Sequence, residues 1–339
     1  MSHDINKLII PNGATTVCYG QRTLNIFGKL HYLKIVYKAY RTINRFYKEA
    51  LATKECYYGP FKGEFGHFLL HNLPFLSHLH QQGVKIHYCG MALHKPFLVN
   101  DQGQSIVHTY HELRDFFAEV PSRSNETIPP DDVQKEIDKF DAAAKASGLP
   151  YLDIAQKDRY WYVFRNWQLT KGRQYVYSIR KVYQTKKEKA CVIFPRKKGA
   201  EFTPNNGGPW DYLALAKLVA PFFDKVYITG HPSMSAELKG EGNIEVCLSP
   251  DNRVVIEKCC NAQLIITQHS GAVHIGCYSQ TDVLMIFKGE PPILGLIDTL
   301  RFRKQLKARP LNFAFNEEQI VTFVKHFTAN NDKVLKSSN

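Results

Sequence analysis

The stretch Leu264–Gly276, LIITQHSGAVHIG, holds side chains whose types and spacing suit the binding of an anion. An apolar run, Leu264–Thr267, reads as a strand, and Gln268-His269-Ser270-Gly271 turns it at once into a helix that carries His274 one turn in. The first N–H groups of a helix lack intrahelical partners and carry partial positive charge, so a phosphate is stabilised there. Ser270 is placed to cap the helix, Gly271 admits close approach to the backbone, and His269 and His274 can each donate to a phosphate oxygen. The same residues also suit an ordinary capped helix after a buried strand, with His274 satisfied in the core.

Two further loops at strand ends carry polar and basic groups: Pro195-Arg196-Lys197-Lys198-Gly199 and Gly230-His231-Pro232. Arg196 and Lys197 suit a diphosphate, the first as a bidentate fork and the second as a point charge. In the first half, Tyr57–His67 contains Gly59, Gly63 and Gly66 ahead of a helix, with Glu64 and His67 beside them. Glycines ahead of a helix permit close approach to the backbone. His67 and His71, four apart, also have the spacing of a metal pair, but no third ligand accompanies them, and no metal is expected. The Asp-any-Asp triplet that holds a divalent ion on a diphosphate in some sugar transferases is absent from the sequence.

The elements that must position these groups follow from periodicity. Lys7–Ile10 and Thr15–Tyr19 read as short strands around a Pro11-Asn12-Gly13 turn, and Tyr32–Tyr40 as a further strand. Gly66–Gln82 has apolar residues Phe68, Leu69, Leu73, Leu76 and Leu79 at helical spacing, and Val84–Tyr88 alternates as a strand. Ser122–Pro130 is a loop and Asp131–Ser147 a charged helix stopped at Gly148. The second half alternates regularly: strand Ala190–Pro195, helix Trp210–Phe223, strand Val226–Thr229, short helix Ser233–Lys239, strand Ile244–Leu248, helix Arg253–Cys260, then Leu264–Thr267. Such alternation implies parallel sheets with ligands at the carboxyl ends of the strands. The expected fold is α/β with two Rossmann-like domains, 1–165 and 166–339, the boundary lying within Ser147–Lys189.

With 339 residues and 44% hydrophobic content, the chain can fill two cores. No apolar run reaches the roughly 18 residues of a membrane span, and Met1–Gly13 lacks a signal-peptide core, so a cytoplasmic protein is expected. Eight cysteines, Cys18, Cys56, Cys89, Cys191, Cys247, Cys259, Cys260 and Cys277, show no zinc or disulfide spacing and are read as reduced packing residues. A net charge of +13 predicts attraction to polyanions, acidic sugars or anionic lipid. Its basic runs lie at Lys171–Lys189 and Arg301–Arg309, which suggests peripheral membrane contact; no nucleic-acid motif accompanies them. The aromatic segment Tyr160–Trp167 suits packing, or stacking on a sugar or base.

Taken together, Ser270-Gly271, His274 and the strand Asp282–Phe287 resemble the second-domain signature of GT-B glycosyltransferases of the heptosyltransferase-like and related inverting kinds. Arg196 after the first strand of that half and Pro209-Trp210 at a helix start extend the resemblance, and Gly59–His67 resembles the acceptor-side loop of such enzymes. The resemblance implies a ligand cleft between two domains, with the last helix, Glu317–Phe327, packing back across the boundary onto the first. A nucleotide-sugar donor would be bound by Arg196, Lys197, Gly230, His231, His269, Ser270, Gly271 and His274, with His67 or Glu64 acting on the acceptor. It further implies metal-independent, inverting transfer of a hexosyl or pentosyl group to a glycan or lipid-linked glycan, with the nucleotide sugar a substrate and no cofactor. The same architecture also serves polysaccharide pyruvyl transferases, and a non-catalytic polyanion-binding protein is the third reading.

Overall fold

The computed structural model describes residues 18–19, 22–23, 26–116, 119, 128–154, 177–196, 209–232, 237–288, 296, 299–300, 303, 308–309 and 311–337. A short antiparallel pair, β1 (Cys18–Tyr19) and β2 (Arg22–Thr23), precedes a 28-residue helix, α1 (Ile26–Thr53). The strand expected over Tyr32–Tyr40 is therefore corrected to helix. Local β-propensity in this Tyr-, Ile- and Val-containing run is outweighed by a longer pattern: Ala39, Ile43, Phe46 and Ala50 are buried at helical spacing against the first sheet. The expected strand Lys7–Ile10 lies outside the described residues.

The first unit continues with β3 (Glu55–Phe61), then an unbroken helical segment. This segment starts as α2 (Phe65–His67), widens into a π-turn over Phe68–Asn72, and ends as α3 (Leu73–Gln81). Phe68, Leu69, Leu73, Leu76 and Leu79 are all buried, as their spacing requires. After β4 (Lys85–Met91), a 3-10 turn (Ala92–Phe97) and β5 (Thr109–Leu113) come α4 (Asp131–Ala146) and β6 (Tyr151–Asp153). Asp131 and Asp132 match the dipole in the first turn of α4, and Gly148, at φ +69°, takes the left-handed conformation that stops the chain beyond it. The strands are parallel in the order β5-β4-β3-β6.

The second unit opens with α5 (Arg180–Tyr183) and the fully buried β7 (Ala190–Phe194). It proceeds through α6 (Tyr212–Val219), β8 (Lys225–Gly230), β9 (Ile244–Leu248), α7 (Asn252–Asn261) and β10 (Leu264–Thr267). It closes with α8 (Gly271–Tyr278), β11 (Asp282–Ile286), β12 (Leu311–Ala314) and α9 (Glu317–Ser337). Helix α6 starts two residues later than Trp210 because Asp211 caps it, accepting from the Leu213 and Ala214 N–H groups. Of the helix expected over Ser233–Lys239, residues 233–236 lie outside the described set and 237–239 are irregular.

All six strands of the second sheet are parallel, in the order β12-β11-β10-β7-β8-β9. Counted from β7 this is the doubly wound dinucleotide-fold order, with its reversal between β7 and β10. The last residue of β6 is Asp153 and the first of β7 is Ala190; residues 165 and 166, between which the boundary is expected, lie outside the described set. Ile320 and Val324 of α9 are buried in the core of the second sheet.

One apolar cluster runs through both units, joining Tyr58, Phe68 and Phe97 to Ile256, Cys259, Ile265 and Tyr278. Polar ties reinforce it. The Asn252 side chain donates to the Leu93 carbonyl at 2.9 Å, the Tyr183 hydroxyl to the Pro96 carbonyl at 2.9 Å, and the Tyr278 hydroxyl to the Leu69 carbonyl. Cys259 and Cys260 are packing residues, both fully buried.

Candidate active site

The carboxyl ends of β7 and β10 bring Arg196 and the Gln268–Gly271 turn together. Arg196 follows β7 by two residues, and its guanidinium donates to the His269 carbonyl. Burial pulls its pKa down, while the nearby Tyr212 and Glu64 favour its charged form. Gln268 is buried and accepts from the Tyr212 hydroxyl, whose own pKa burial pushes up to about 12. The Thr267 hydroxyl, also buried, donates to the Gln268 carbonyl at 2.8 Å and lies 3.2 Å from Ser270 Oγ. The turn is therefore held rigidly from three sides before any ligand arrives.

Ser270 is the N-cap of α8, its Oγ accepting the Ala272 N–H at 3.2 Å. His269 lies at the rim with its Nε2 3.5 Å from the Thr299 hydroxyl. His274 is buried inside the helix packing; burial holds its pKa well below 6.5, and the neighbouring His269, Arg303 and His67 push the same way, so it is a neutral imidazole. Below it Arg303, also buried, donates to the Val273 carbonyl at 3.1 Å and to Cys277 Sγ at 3.3 Å, fixing the body of α8.

The first unit meets this turn end-on. A Cβ built on Gly271 would lie 3.2 Å from both the Gly66 nitrogen and Phe65 Cδ1, so the starts of α2 and α8 are in backbone contact. Glycine at 271 leaves room for the α2 backbone, and Gly59 does the same for its neighbour strand, where a Cβ would stand 2.5 Å from the Cys89 carbonyl oxygen. Glu64 precedes α2 without capping it, and its carboxylate lies 3.9 Å from His67 Nε2. His67 is one third exposed and Glu64 more than half. Glu64 lies within electrostatic reach of Arg196, and His67 of His274. The His71 ring, 6.0 Å from that of His67, is buried in the π-turn, where Asn72 accepts from the Tyr58 hydroxyl at 2.6 Å and donates to the His67 carbonyl at 3.3 Å. This π-turn sets the direction in which His67 leaves the helix, and π-turns of this kind occur often at functional sites.

Of the residues singled out from sequence, Glu64, His67, Arg196, His269, Ser270, Gly271 and His274 converge; Lys197 lies outside the described residues, as does Tyr160–Trp167. Gly230 ends β8 at φ +153° and accepts the Ser249 N–H at 3.0 Å. His231 is turned to the other unit: its Nε2 stands 2.5 Å from Asp115 Oδ2. Asp115 was invisible to sequence reasoning because β5, whose end it follows, gives only a weak strand pattern in Thr109–Leu113. Its partner is also more than a hundred residues away. Tyr212 and Arg303, likewise missed, act by long-range hydrogen bonds that no local pattern announces, whereas Thr267 acts locally on Gln268 and Ser270.

The arrangement can hold an anionic group between a half-buried arginine and a helix start, with a carboxylate and an imidazole nearby. No family model matches the sequence, and no curated protein matches it. Among solved structures, the E. coli heptosyltransferase WaaC with ADP-2-deoxy-2-fluoro heptose is similar, with a TM-score of 0.50 at 12% identity over 82% of this chain and 99% of that one. A glycosyl transferase of family 9 from Veillonella parvula aligns with a TM-score of 0.45 at 12% identity over 81% and 97%. The likeness to WaaC is one of fold: two parallel α/β units of the GT-B kind, as the sequence resemblance implies.

Proposed function

We propose that this chain is a glycosyltransferase that takes a sugar from a nucleotide-sugar donor, without a metal ion, and passes it to a glycan or lipid-linked glycan with inversion. The observation that carries the reading is the meeting of Arg196 and the α8 start at the strand-order reversal of the second sheet, opposite Glu64 and His67. That reversal is where doubly wound sheets bind nucleotides. The WaaC structure on the same fold holds an ADP-sugar analogue, which supports a nucleotide sugar as the ligand class.

In the proposed reaction, His67 or Glu64 takes the proton of the acceptor hydroxyl as its oxygen bonds to the anomeric carbon. The bond from that carbon to the diphosphate breaks on the opposite face, and the electron pair leaves on the diphosphate. Arg196 and the α8 start stabilise that charge, and because the His269 carbonyl and Tyr212 already hold the turn, little reorganisation is needed. His274, neutral and buried, serves in this reading as packing behind the turn and as a hydrogen-bonding group toward it. His269 and Lys197 are assigned to the phosphates, and His231 to the cleft wall beside the donor. Among the described residues no helix is long and apolar enough to cross a membrane. We place the enzyme in the cytoplasm, acting in polysaccharide biosynthesis.

The test is a thermal-shift panel of UDP, GDP, ADP, CMP and TDP, with and without EDTA, on wild type and Arg196→Ala. A ligand that binds the native state raises the melting temperature by mass action. One nucleotide raising it, unaffected by EDTA and lost in the variant, is the expected result. No shift with any nucleotide overturns the reading.

A further inference from the structure

The outward face of α1 carries five cations in one line. Lys34, Lys38, Arg41, Arg45 and Lys48 are all exposed, and their steps of four, three, four and three residues follow one edge of the helix. At about 100° and 1.5 Å per residue, the line stays within about 40° of one direction and runs about 21 Å. On the opposite side, Ala39, Ile43, Phe46 and Ala50 repeat the same steps and are buried in the core of the first unit. The helix is thus fully used: apolar side inward, cations outward.

Like charges at these spacings repel and weaken a helix. Acidic residues usually relieve this, but here the described part of the face has a single carboxylate, Glu49, 3.9 Å from Arg45. The basic runs noted in the sequence differ. Arg180 donates to the Gln280 carbonyl at 2.8 Å, Lys181 pairs with Asp101, Lys186 with Glu188 at 2.6 Å, and Arg303 is buried. Where described, those runs are largely tied into the structure, whereas the α1 line faces solvent.

A straight row of cations on a rigid, outward helix matches a flat array of anionic headgroups, which can meet all five at once. Tyr37 stands beside the row, 63% exposed, with the Arg41 guanidinium 6.0 Å from its ring centre. A tyrosine there suits the headgroup layer, where amphipathic rings are favoured. Single-stranded nucleic acid would call for several stacking rings along the row. Because the apolar side is committed to the core, attachment must be electrostatic, at the surface, and reversible by salt.

We propose that α1 is the face on which the protein rests against an anionic lipid bilayer, held by the row from Lys34 to Lys48. The inference stands on α1 alone and does not depend on the transferase reading.

The experiment is co-sedimentation of the full chain with phosphatidylcholine vesicles, with and without about one third phosphatidylserine, at about 0.1 M and about 1 M salt. Two triple variants are compared: Lys38→Ala/Arg41→Ala/Arg45→Ala on α1, and Lys135→Ala/Lys139→Ala/Lys145→Ala on α4. Both remove three exposed cations, so both lower the net charge equally. Alanine favours helix at either place, and thermal melts check folding. Binding only to the anionic vesicles at low salt is expected, falling about fivefold per cation and so about a hundredfold for the α1 triple, with the α4 triple near wild type. Equal losses in the two triples would reduce the effect to net charge and overturn the proposal. So would equal binding to neutral vesicles, or binding to a single-stranded RNA of about 20 nucleotides at a salt where anionic vesicles are not bound.

Discussion

His231 Nε2 lies 2.5 Å from Asp115 Oδ2, which ties the loop after β8 in the second unit to the loop after β5 in the first. Both loops lie at the carboxyl ends of their strands, so the pair joins the same edges of the two sheets. The pair is partly screened by solvent, and a coupling of about 1 kcal/mol is expected. A denaturation cycle of His231→Ala, Asp115→Ala and the double variant measures it. Strictly additive single losses would mean the two side chains do not hold the units together.

The facing glycines behave asymmetrically. A methyl group on Gly271 would meet the Gly66 backbone and Phe65 at 3.2 Å, so Gly271→Ala must push two helix starts apart and should cost about 1–3 kcal/mol. On Gly66 the nearest atom is Gly271 Cα at 3.5 Å, an ordinary contact, and alanine gains helix propensity there. Gly66→Ala should therefore unfold at the same urea concentration as wild type or higher. If both variants lost stability alike, backbone contact would not be what selects glycine at 271.

Two buried histidines make the fold sensitive to acid. Burial holds both His94 and His274 well below their ordinary pKa of 6.5. The unfolded chain, with normal histidines, binds protons first as pH falls, so this contribution is complete above pH about 6.5 and is lost progressively below it. Each histidine adds about 1.4 kcal/mol per pH unit to the slope. Urea denaturation at pH 7.5 and 5.5 should show the loss, and His94→Gln or His274→Gln should each lower the slope by one proton. An unchanged slope in His274→Gln would mean that His274 is already charged in the fold.

Much of this architecture is legible in the sequence. From Ala190 to Phe287, strands and helices alternate with local caps and short apolar runs, and Ile244–Leu248 and Leu264–Thr267 are found at the expected residues. Ser270 caps α8 as its residue type and position indicate. What sequence hides is set by distant partners. Helix α1 looks locally like strand because its register against the first sheet is decided by residues far along the chain. Gly271 is constrained by Phe65 and Gly66, and Asp115 is paired by His231. The glycines before α2 signal close approach correctly; what approaches is another backbone.

Glu64 and His67 compete for the role of base, and their positions allow them to be separated. His67 leaves the end of α2 toward His274, while Glu64 lies at its start and favours the charged form of Arg196. Glu64→Gln keeps the shape but removes the charge that faces Arg196, so it should alter donor affinity as well as turnover. His67→Ala keeps the Glu64 charge that favours the charged form of Arg196. If His67 is the base, His67→Ala lowers kcat by about 10²–10⁴-fold and removes the acid limb of the pH–rate profile, with nucleotide Kd nearly unchanged. If the acid limb persists in His67→Ala and disappears in Glu64→Gln, the carboxylate is the base and His67 positions it across their 3.9 Å contact. Steady-state rates over pH for both variants, beside nucleotide titrations, decide between them.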